Sequence, residues 1–283
     1  MILMGTVLIT SEIGNQKSEI LTNFKVRNCP RILKHFIKNM LVTVVAIMAT
    51  CVAIGQTTST HYIVKIPYPV TPITDTLQKQ FAAKHLRFPP AEMYVRSFKL
   101  DRKLEVWVKD SAKGSYKLFK TYKVCMESGV LGPKRMEGDY QVPEGFYYIN
   151  EFNPYSNYHL ALGLNYPNAS DRILSDSLHP GGDIYIHGNR VSTGCIPIDD
   201  EPIEEVYVLA SIVKANGEDF IPVHVFPVKY DEKKSFDYLA RVSLHDQQMQ
   251  QFTITLKQVF DYFQETKQLP VILVNKNGEY IVN

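Results

Sequence analysis

The chain has 283 residues, of which 45% are hydrophobic, so it can bury one large core or two modest ones. Its 31 basic and 29 acidic residues give a formal net charge of +2, which supplies no electrostatic reason to expect nucleic acid as a partner. We therefore predict a globular protein that does not bind nucleic acid.

The region from residue 31 to residue 55 has the pattern of a secretory signal. Basic residues precede an apolar run from Met40 to Ile54, and small residues follow before a cleavage point ahead of Gln56. The apolar run is shorter than the roughly 20 residues of a membrane-spanning helix, so a retained anchor and lipidation of Cys51 are the weaker alternatives. We predict export and assign residues 1–55 to an N-terminal extension and signal peptide. Residues 1–30 fit neither a signal nor a domain, which suggests a translation start further downstream.

Two cysteines remain after the predicted cleavage point, Cys125 and Cys195. Two is too few for a disulfide scaffold, although an oxidising compartment permits a single bridge between them. Cys125 ends the apolar pattern TYKVCMES, where a small buried thiol is common. We predict a structural role for Cys125, which leaves Cys195 as the candidate for chemistry.

Residues 56–90 begin with a Thr- and Pro-rich stretch that predicts an exposed tether, and continue with the short helical pattern TDTLQKQFAAKHL. From Glu92 onwards, apolar and polar residues alternate, and β-branched and aromatic residues are common. We predict consecutive antiparallel strands in EMYVRSF, LEVWVKD and YKLFKTYKVCM. A β-meander therefore opens the next domain.

A long loop with several glycines and prolines, GVLGPKRMEGDYQVPEGFYYI, follows the meander and leads into an aromatic strand. YHLALGLNYP predicts another strand, and NASDRILSDSLHPGG another loop before a strand from Asp183 to His187. EPIEEVYVLASIVKANG has helical periodicity, and FIPVHVFPV returns to a strand pattern.

The C-terminal residues 229–283 have a different pattern. FDYLARVSL and TLKQVFDYFQETKQ predict helices, and PVILVNKNGEYIVN predicts a hairpin around an Asn-Lys-Asn-Gly turn. The expected fold class is therefore α+β and mainly β. It consists of a β-rich domain over residues 91–228 and a mostly helical C-terminal extension that includes the hairpin.

The stretch DIYIHGNRVSTGCIPIDD places a histidine and a cysteine eight positions apart. Ile184 and Ile186 share one face of the predicted strand, so Tyr185 and His187 share the other. Alternation resumes at Cys195, opposite the following isoleucines. We predict that His187 and Cys195 lie at the same end of adjacent strands, where a loop of seven residues lets them meet.

This pair suits nucleophilic catalysis. A nearby imidazole can accept the proton of a thiol and stabilise the thiolate that attacks a carbonyl. Gly194 lets a substrate approach the backbone, and the amide N–H of Cys195 is a natural donor to an oxyanion. Ser192 and Thr193 can tie the loop together with hydroxyl hydrogen bonds. The carbonyl of Gly188 can orient the imidazole in place of a third acidic residue.

Other chemistries fit less well. Zinc would need three or four ligands, and the local additions His179 and Asp183 match no common zinc motif, so we predict no metal and no cofactor. A general cysteine protease would need surrounding motifs that are absent from the sequence. A binding module that keeps the fold without turnover remains an alternative.

IHGNRVSTGCIPI resembles the His-Gly…Ser-x-Gly-Cys signature of the L,D-transpeptidase catalytic domain, also called the YkuD domain, and EGDYQVPEGFY resembles its glycine-proline loop. The resemblance runs from about Met93 to Phe226. YKVCMESGVLGPKRMEGDYQVPEGFY, LNYPNASDR and HGNRVSTGC are most similar to the YafK/DpaA type of murein L,D-transpeptidase-like proteins. Two features depart from the family majority: the His-to-Cys loop is short, and Thr193 replaces a histidine.

The resemblance implies a β-sandwich or barrel-like catalytic domain in the periplasm that acts on peptidoglycan stem peptides. Cys195 would be the nucleophile and His187 its base, with Ser192 and Gly194 shaping the loop and Gly188 orienting the histidine. The thiolate attacks the carbonyl at the L-centre of diaminopimelate and forms a thioester. An amine then gives a 3→3 cross-link or attaches a protein, whereas water gives cleavage.

The YafK/DpaA branch is associated with cleavage that detaches a covalently bound lipoprotein from the wall. We therefore predict hydrolysis, with L,D-transpeptidation as the alternative. The oligomeric state is not predictable from the sequence. Candidate substrate-binding residues, mostly cations that could pair with substrate carboxylates, are Arg190, Lys134, Arg135, Arg172 and Tyr185.

Overall fold

A computed structural model describes residues 70–283 of the chain. The predicted signal peptide, its cleavage point and most of the predicted tether lie outside the described residues. Within residues 70–283, no helix is long and apolar enough to cross a membrane.

The first described elements confirm the predicted helix and meander. Helix α1 spans Val70–Ala83, and Leu77 and Phe81, four residues apart on one face, are fully buried. Strands β1 (Glu92–Phe98), β2 (Lys103–Lys109) and β3 (Lys117–Lys123) follow, and each pairs antiparallel with the next.

The middle of the chain contains four strands and a short helix. Strands β4 (Gly145–Ser156) and β5 (His159–Leu164) form an antiparallel pair, and the short strands β6 (Tyr185–His187) and β7 (Ile196–Pro197) come later. The prediction of a loop between β5 and β6 was wrong in part, since helix α2 spans Ala169–Leu174.

A capping box explains how α2 forms in so short a segment. The side chain of Asn168 accepts a hydrogen bond from the N–H of Asp171, and the Asp171 carboxylate accepts one from the N–H of Asn168. Each side chain satisfies a backbone donor that a helix start leaves free.

The remaining predicted elements are confirmed. Helix α3 spans Asp200–Ala215 and is followed by strand β8 (Pro222–Phe226). Helices α4 (Lys233–Val242) and α5 (Gln247–Thr266) precede a hairpin of β9 (Ile272–Val274) and β10 (Tyr280–Val282).

The eight strands β1 to β8 form one mixed sheet in the order β3-β2-β1-β8-β4-β5-β6-β7. Strand β8 pairs parallel with β1 and antiparallel with β4. Strand β4 changes partner along its length: residues 145–148 pair with β8, whereas Ile149–Ser156 pair with β5. This mixed sheet with its surrounding helices is the α+β, mainly β architecture that the sequence predicts.

The C-terminal helices pack against the sheet through an aromatic cluster. Phe98 of β1 and Phe226 of β8 stack at 5.6 Å between ring centroids, and Phe260 of α5 contacts both rings. Leu239 of α4 and Leu256 of α5 belong to the same buried cluster. The C-terminal extension therefore shares a hydrophobic core with the sheet.

A buried cation reinforces this contact. The Arg96 side chain is 1% exposed, and its Nη2 lies 2.6 Å from Glu105 Oε2. Its guanidinium carbon lies 5.2 Å from the ring centroid of Phe260 and 4.7 Å from that of Phe263, both on α5. Because a buried charge is costly without a partner, the fold depends on Glu105 to keep Arg96 paired.

We predict that Glu105→Ala lowers the free energy of unfolding by about 3–5 kcal/mol, because Arg96 would then be buried without its carboxylate. Glu105→Gln keeps an acceptor and should cost less. Glu232→Ala is the matched control, since the ion pair of Glu232 with Lys103 is exposed and contributes about 0–1 kcal/mol. Equilibrium denaturation in urea measures all three, and equal losses for the two alanine variants would contradict the prediction.

Candidate active site

The pairing of β6 with β7 sets the positions of the two reactive residues. The strands are parallel, with Ile186 opposite Ile196 and His187 opposite Pro197. Cys195 immediately precedes β7 and is therefore level with Tyr185. The expectation that His187 and Cys195 lie at the same end of adjacent strands was wrong. His187 ends β6, whereas Cys195 precedes the start of β7, and because the two strands run parallel, Cys195 lies beside the start of β6.

His187 and Cys195 nevertheless line one cavity of about 320 Å³. Since both lie on the face of β6 and β7 that the isoleucines do not occupy, their side chains reach the same space. The end of β4 and the turn into β5 form another wall, with Tyr155 and Tyr158 among its residues. No sequence pattern had predicted that these residues line the site. The signal was present in NPYSNYH, a polar stretch whose two tyrosines are 73% and 44% exposed in the structure.

The imidazole of His187 is buried and oriented. Its Nδ1 lies 2.5 Å from the carbonyl oxygen of Gly188, which can only accept, so Nδ1 carries the proton and Nε2 has a free lone pair. The ring of Tyr158 lies over it at 4.8 Å between centroids. Burial lowers the pKa of His187, and the hydrogen bond to Gly188 opposes this only in part. The imidazole is therefore neutral at pH 7.

Gly188 occupies a position that no other residue fits. A Cβ atom there would lie 2.6 Å from Asp200 Oδ1 and 2.8 Å from the carbonyl oxygen of Tyr158. The absence of a side chain lets the backbone approach closely enough for its carbonyl to accept from the imidazole.

The thiol of Cys195 is half-buried, with Sγ 3.4 Å from the carbonyl oxygen of Asp183. Burial raises the pKa of this thiol, and the negative charge of Asp183 raises it further. A hydrogen bond from the backbone of Tyr185 lowers it in part. The side chain is therefore a thiol at neutral pH in the free protein. A thiolate forms only when a base removes the proton.

Hydrogen bonds of Ser192 fix the loop before the cysteine. Its Oγ donates to the carbonyl oxygen of Cys195 at 2.7 Å and accepts from the N–H of Gly194 at 3.2 Å. It also lies 3.1 Å from the hydroxyl of Ser128. Gly194 has φ of +132°, which side-chain-bearing residues rarely adopt. Thr193 is exposed and lines the cavity.

Of the candidate substrate-binding residues, Tyr185 lines the cavity, where its hydroxyl donates to Glu151 Oε2 at 2.9 Å. Arg190 lies in the exposed part of the loop, and its guanidinium pairs with Asp199 at 2.6 Å. The structure does not bring Arg190 to the lining of this cavity.

The other three cations also lie outside this cavity. Lys134 is buried, and its ammonium is held by the Asp139 carboxylate and the carbonyl oxygen of Met136. Arg172 is exposed on α2. Arg135 lies 3.5 Å from Asp171 and lines a separate groove.

Both cysteines of the described region are free thiols, and the backbone N–H of Cys125 donates to the carbonyl oxygen of Pro197. Cys125 thus packs beside β7 rather than bridging to Cys195. Across residues 70–283 there is no group of three or more His, Cys, Asp or Glu side chains arranged to hold a metal ion.

The family model of the L,D-transpeptidase catalytic domain, YkuD, matches residues 98–225. YafK of Escherichia coli (strain K12), whose name assigns it to the L,D-transpeptidases, is 31% identical over 213 residues. The match covers 74% of this chain and 80% of YafK. The chain belongs to the L,D-transpeptidase family and is a peptidoglycan-modifying enzyme of that family. YafK of Escherichia coli O157:H7 matches with the same identity and coverage.

Two solved structures are also similar. Pgp2 of Campylobacter jejuni, described as a helical cell shape determining protein, has 20% identity and a TM-score of 0.36, covering 70% of this chain and 81% of Pgp2. Bd1075 of Bdellovibrio bacteriovorus has 19% identity and a TM-score of 0.35, covering 66% of this chain and 78% of Bd1075.

We predict that the pKa of His187 is lower than the value of about 6.5 for an ordinary histidine, because burial disfavours the imidazolium. At pH 7 the neutral ring should carry its proton on Nδ1. Nitrogen-15 NMR of the imidazole, with His187→Gln to assign its signals, measures both. An imidazolium at pH 7, or a proton on Nε2, would contradict the geometry described above.

Proposed function

We propose that this enzyme is an exported, cysteine-dependent peptidoglycan hydrolase. It acts at the L-centre of diaminopimelate in stem peptides, through a thioester on Cys195. One observation carries the proposal: Cys195 shares a single cavity with His187, whose unprotonated Nε2 is available as a base.

The first half of the reaction forms the thioester. As Nε2 of His187 takes the thiol proton, Sγ of Cys195 attacks the amide carbonyl carbon, and the backbone N–H of Cys195 donates to the resulting oxyanion. The imidazolium then gives its proton to the amide nitrogen, the carbon–nitrogen bond breaks, and the amine leaves. Deprotonation must accompany attack, because burial keeps Cys195 protonated in the free enzyme.

The second half consumes the thioester with water. His187 takes a proton from the water, the hydroxide oxygen adds to the carbonyl carbon, and the carbon–sulfur bond breaks. A carboxylic acid and the free thiol result, with the proton returned to sulfur. Gly188 acts as a positioning residue in both halves, since its carbonyl holds the imidazole with Nε2 unprotonated.

The exposed loop before the cysteine supports hydrolysis over cross-linking. The loop between His187 and Cys195 is short, and Asn189, Arg190, Val191 and Thr193 are all exposed. An amine acceptor must be held at a high effective concentration to compete with water at about 55 M. A loop with few buried side chains offers little surface to hold it.

The proposed location and partner follow from two sequence features. The signal pattern of residues 31–55 supports export to the periplasm, where peptidoglycan lies. The similarity to the YafK/DpaA branch supports release of a lipoprotein or peptide that is covalently attached to the wall.

We predict that Cys195→Ser abolishes turnover and covalent adduct formation with a carbapenem while leaving the fold intact, because one imidazole does not make an alcohol of much higher pKa nucleophilic. Intact-protein mass spectrometry measures the adduct, and circular dichroism checks the fold. Cys125→Ser is the matched control and should keep both activities. A Cys195→Ser variant with near wild-type turnover would remove Cys195 from the mechanism.

We predict that hydrolysis dominates when a disaccharide-tetrapeptide donor is supplied with excess acceptor, because the loop between His187 and Cys195 is exposed to water. Mass spectrometry should show mainly disaccharide-tripeptide, with Cys195→Ser as the background. Muropeptides that carry a lipoprotein-derived peptide should release it. Mainly 3→3 dimers would instead identify a transpeptidase.

A further inference from the structure

A second cavity, of about 570 Å³, lies between the start of α5, helix α2 and the β9–β10 hairpin. It shares no lining residue with the cavity that contains Cys195. The proposed reaction therefore leaves it unexplained.

One wall of this groove consists of side-chain amides. Gln247, Gln248 and Gln251 occupy the first turns of α5 and are exposed. No group among residues 70–283 hydrogen-bonds these three side-chain amides, which face solvent, so each can exchange water for a donor and an acceptor of a ligand.

Aromatic rings lie beside the amides. Phe252 follows Gln251 on α5, and its ring centroid lies 6.4 Å from that of Tyr280 on β10. The hydroxyl of Tyr280 accepts from the Asn168 amide at 2.8 Å, so its ring is held in place. An apolar surface edged by amides binds ligands that have both an apolar face and many hydrogen-bonding groups.

The groove carries little net charge, because its lining holds one cation and one carboxylate. Arg135 is its cation, and that guanidinium already lies 3.5 Å from the Asp171 carboxylate. Glu279 contributes a carboxylate to the same lining. A stem peptide with several carboxylates would find little compensating charge here, whereas a neutral polar ligand would not need it.

We propose that the groove binds an N-acetylated oligosaccharide, the chemistry of a glycan strand. Sugar hydroxyls and acetamido groups match the unpaired glutamine amides, and the C–H face of a sugar ring matches Phe252 and Tyr280. The evidence for binding is independent of Cys195. The choice of the wall glycan as the natural ligand rests on the proposed function.

One loop contacts both sites. Arg135 lines the groove, Ser128 hydrogen-bonds Ser192 in the cysteine loop, and the carbonyl oxygen of Gln141 lies close to Gly194. The stem peptides that Cys195 would cleave are attached to glycan strands. A groove that holds the strand would therefore raise the local concentration of those peptides near the cysteine.

The test is a titration of the full-length protein with tetra-N-acetylchitotetraose, which contains no peptide, and calorimetry and NMR measure the binding. Binding to the wild type is expected, and the double variant Gln247→Ala/Gln251→Ala should weaken it about tenfold, because two amide hydrogen bonds are lost. Gln258→Ala is the matched control, since Gln258 lies on α5 seven residues after Gln251 and does not line the groove. It should bind like the wild type.

Three outcomes would overturn the inference: absence of oligosaccharide binding, equal binding by the double variant and the wild type, or binding of a free stem tripeptide in the groove instead. Carbapenem adduct formation at Cys195, measured on the same variants, should be unchanged. Oligosaccharide binding without any adduct would sink the proposed reaction and leave the glycan site standing.

Discussion

Strand β8 joins the two halves of the sheet, and the position of the candidate active site depends on this pairing. It lies between β1 and β4, parallel to one and antiparallel to the other. Val223, Val225 and Phe226 of β8 are fully buried. Because β8 is far in sequence from β1 and β4, pairing with them closes long chain segments, which has an entropic cost. Burial of this apolar strand offsets that cost. The meander and the strands around His187 thereby form one framework.

Burial favours the neutral form of both reactive groups of the site. It lowers the pKa of His187 and raises the pKa of Cys195, so each favours its neutral form. The resting site therefore holds a thiol beside a neutral imidazole rather than a preformed ion pair. In the proposed reaction, charge separates only when a carbonyl is present to accept the sulfur nucleophile, which limits reactions of the thiol without substrate.

The C-terminal residues contribute more than their sequence pattern indicates. The helical periodicity of α5 comes from apolar residues such as Phe260 that pack against the sheet. Gln247 and Gln251 lie on the same helix but are exposed to solvent. Arg135 illustrates the same point, because it is distant in sequence from α5 and yet lines the groove with it. No local pattern brings these residues together, since their proximity depends on how the helices and the hairpin pack.

The sequence by itself determined the elements whose patterns are local: the meander, the helices α3 to α5, the terminal hairpin, and the alternation that puts His187 and Cys195 on the face away from the isoleucines. Hydrophobic periodicity and turn residues act over a few positions, so they are readable without a structure. Only the tertiary structure decided the parallel register of β6 and β7, the tyrosine wall from the β4–β5 turn, and the separation of Lys134, Arg135, Arg172 and Arg190 from the cavity. These depend on contacts between residues far apart in the chain, where the packing of the whole core, and not the local pattern, sets which side chains meet.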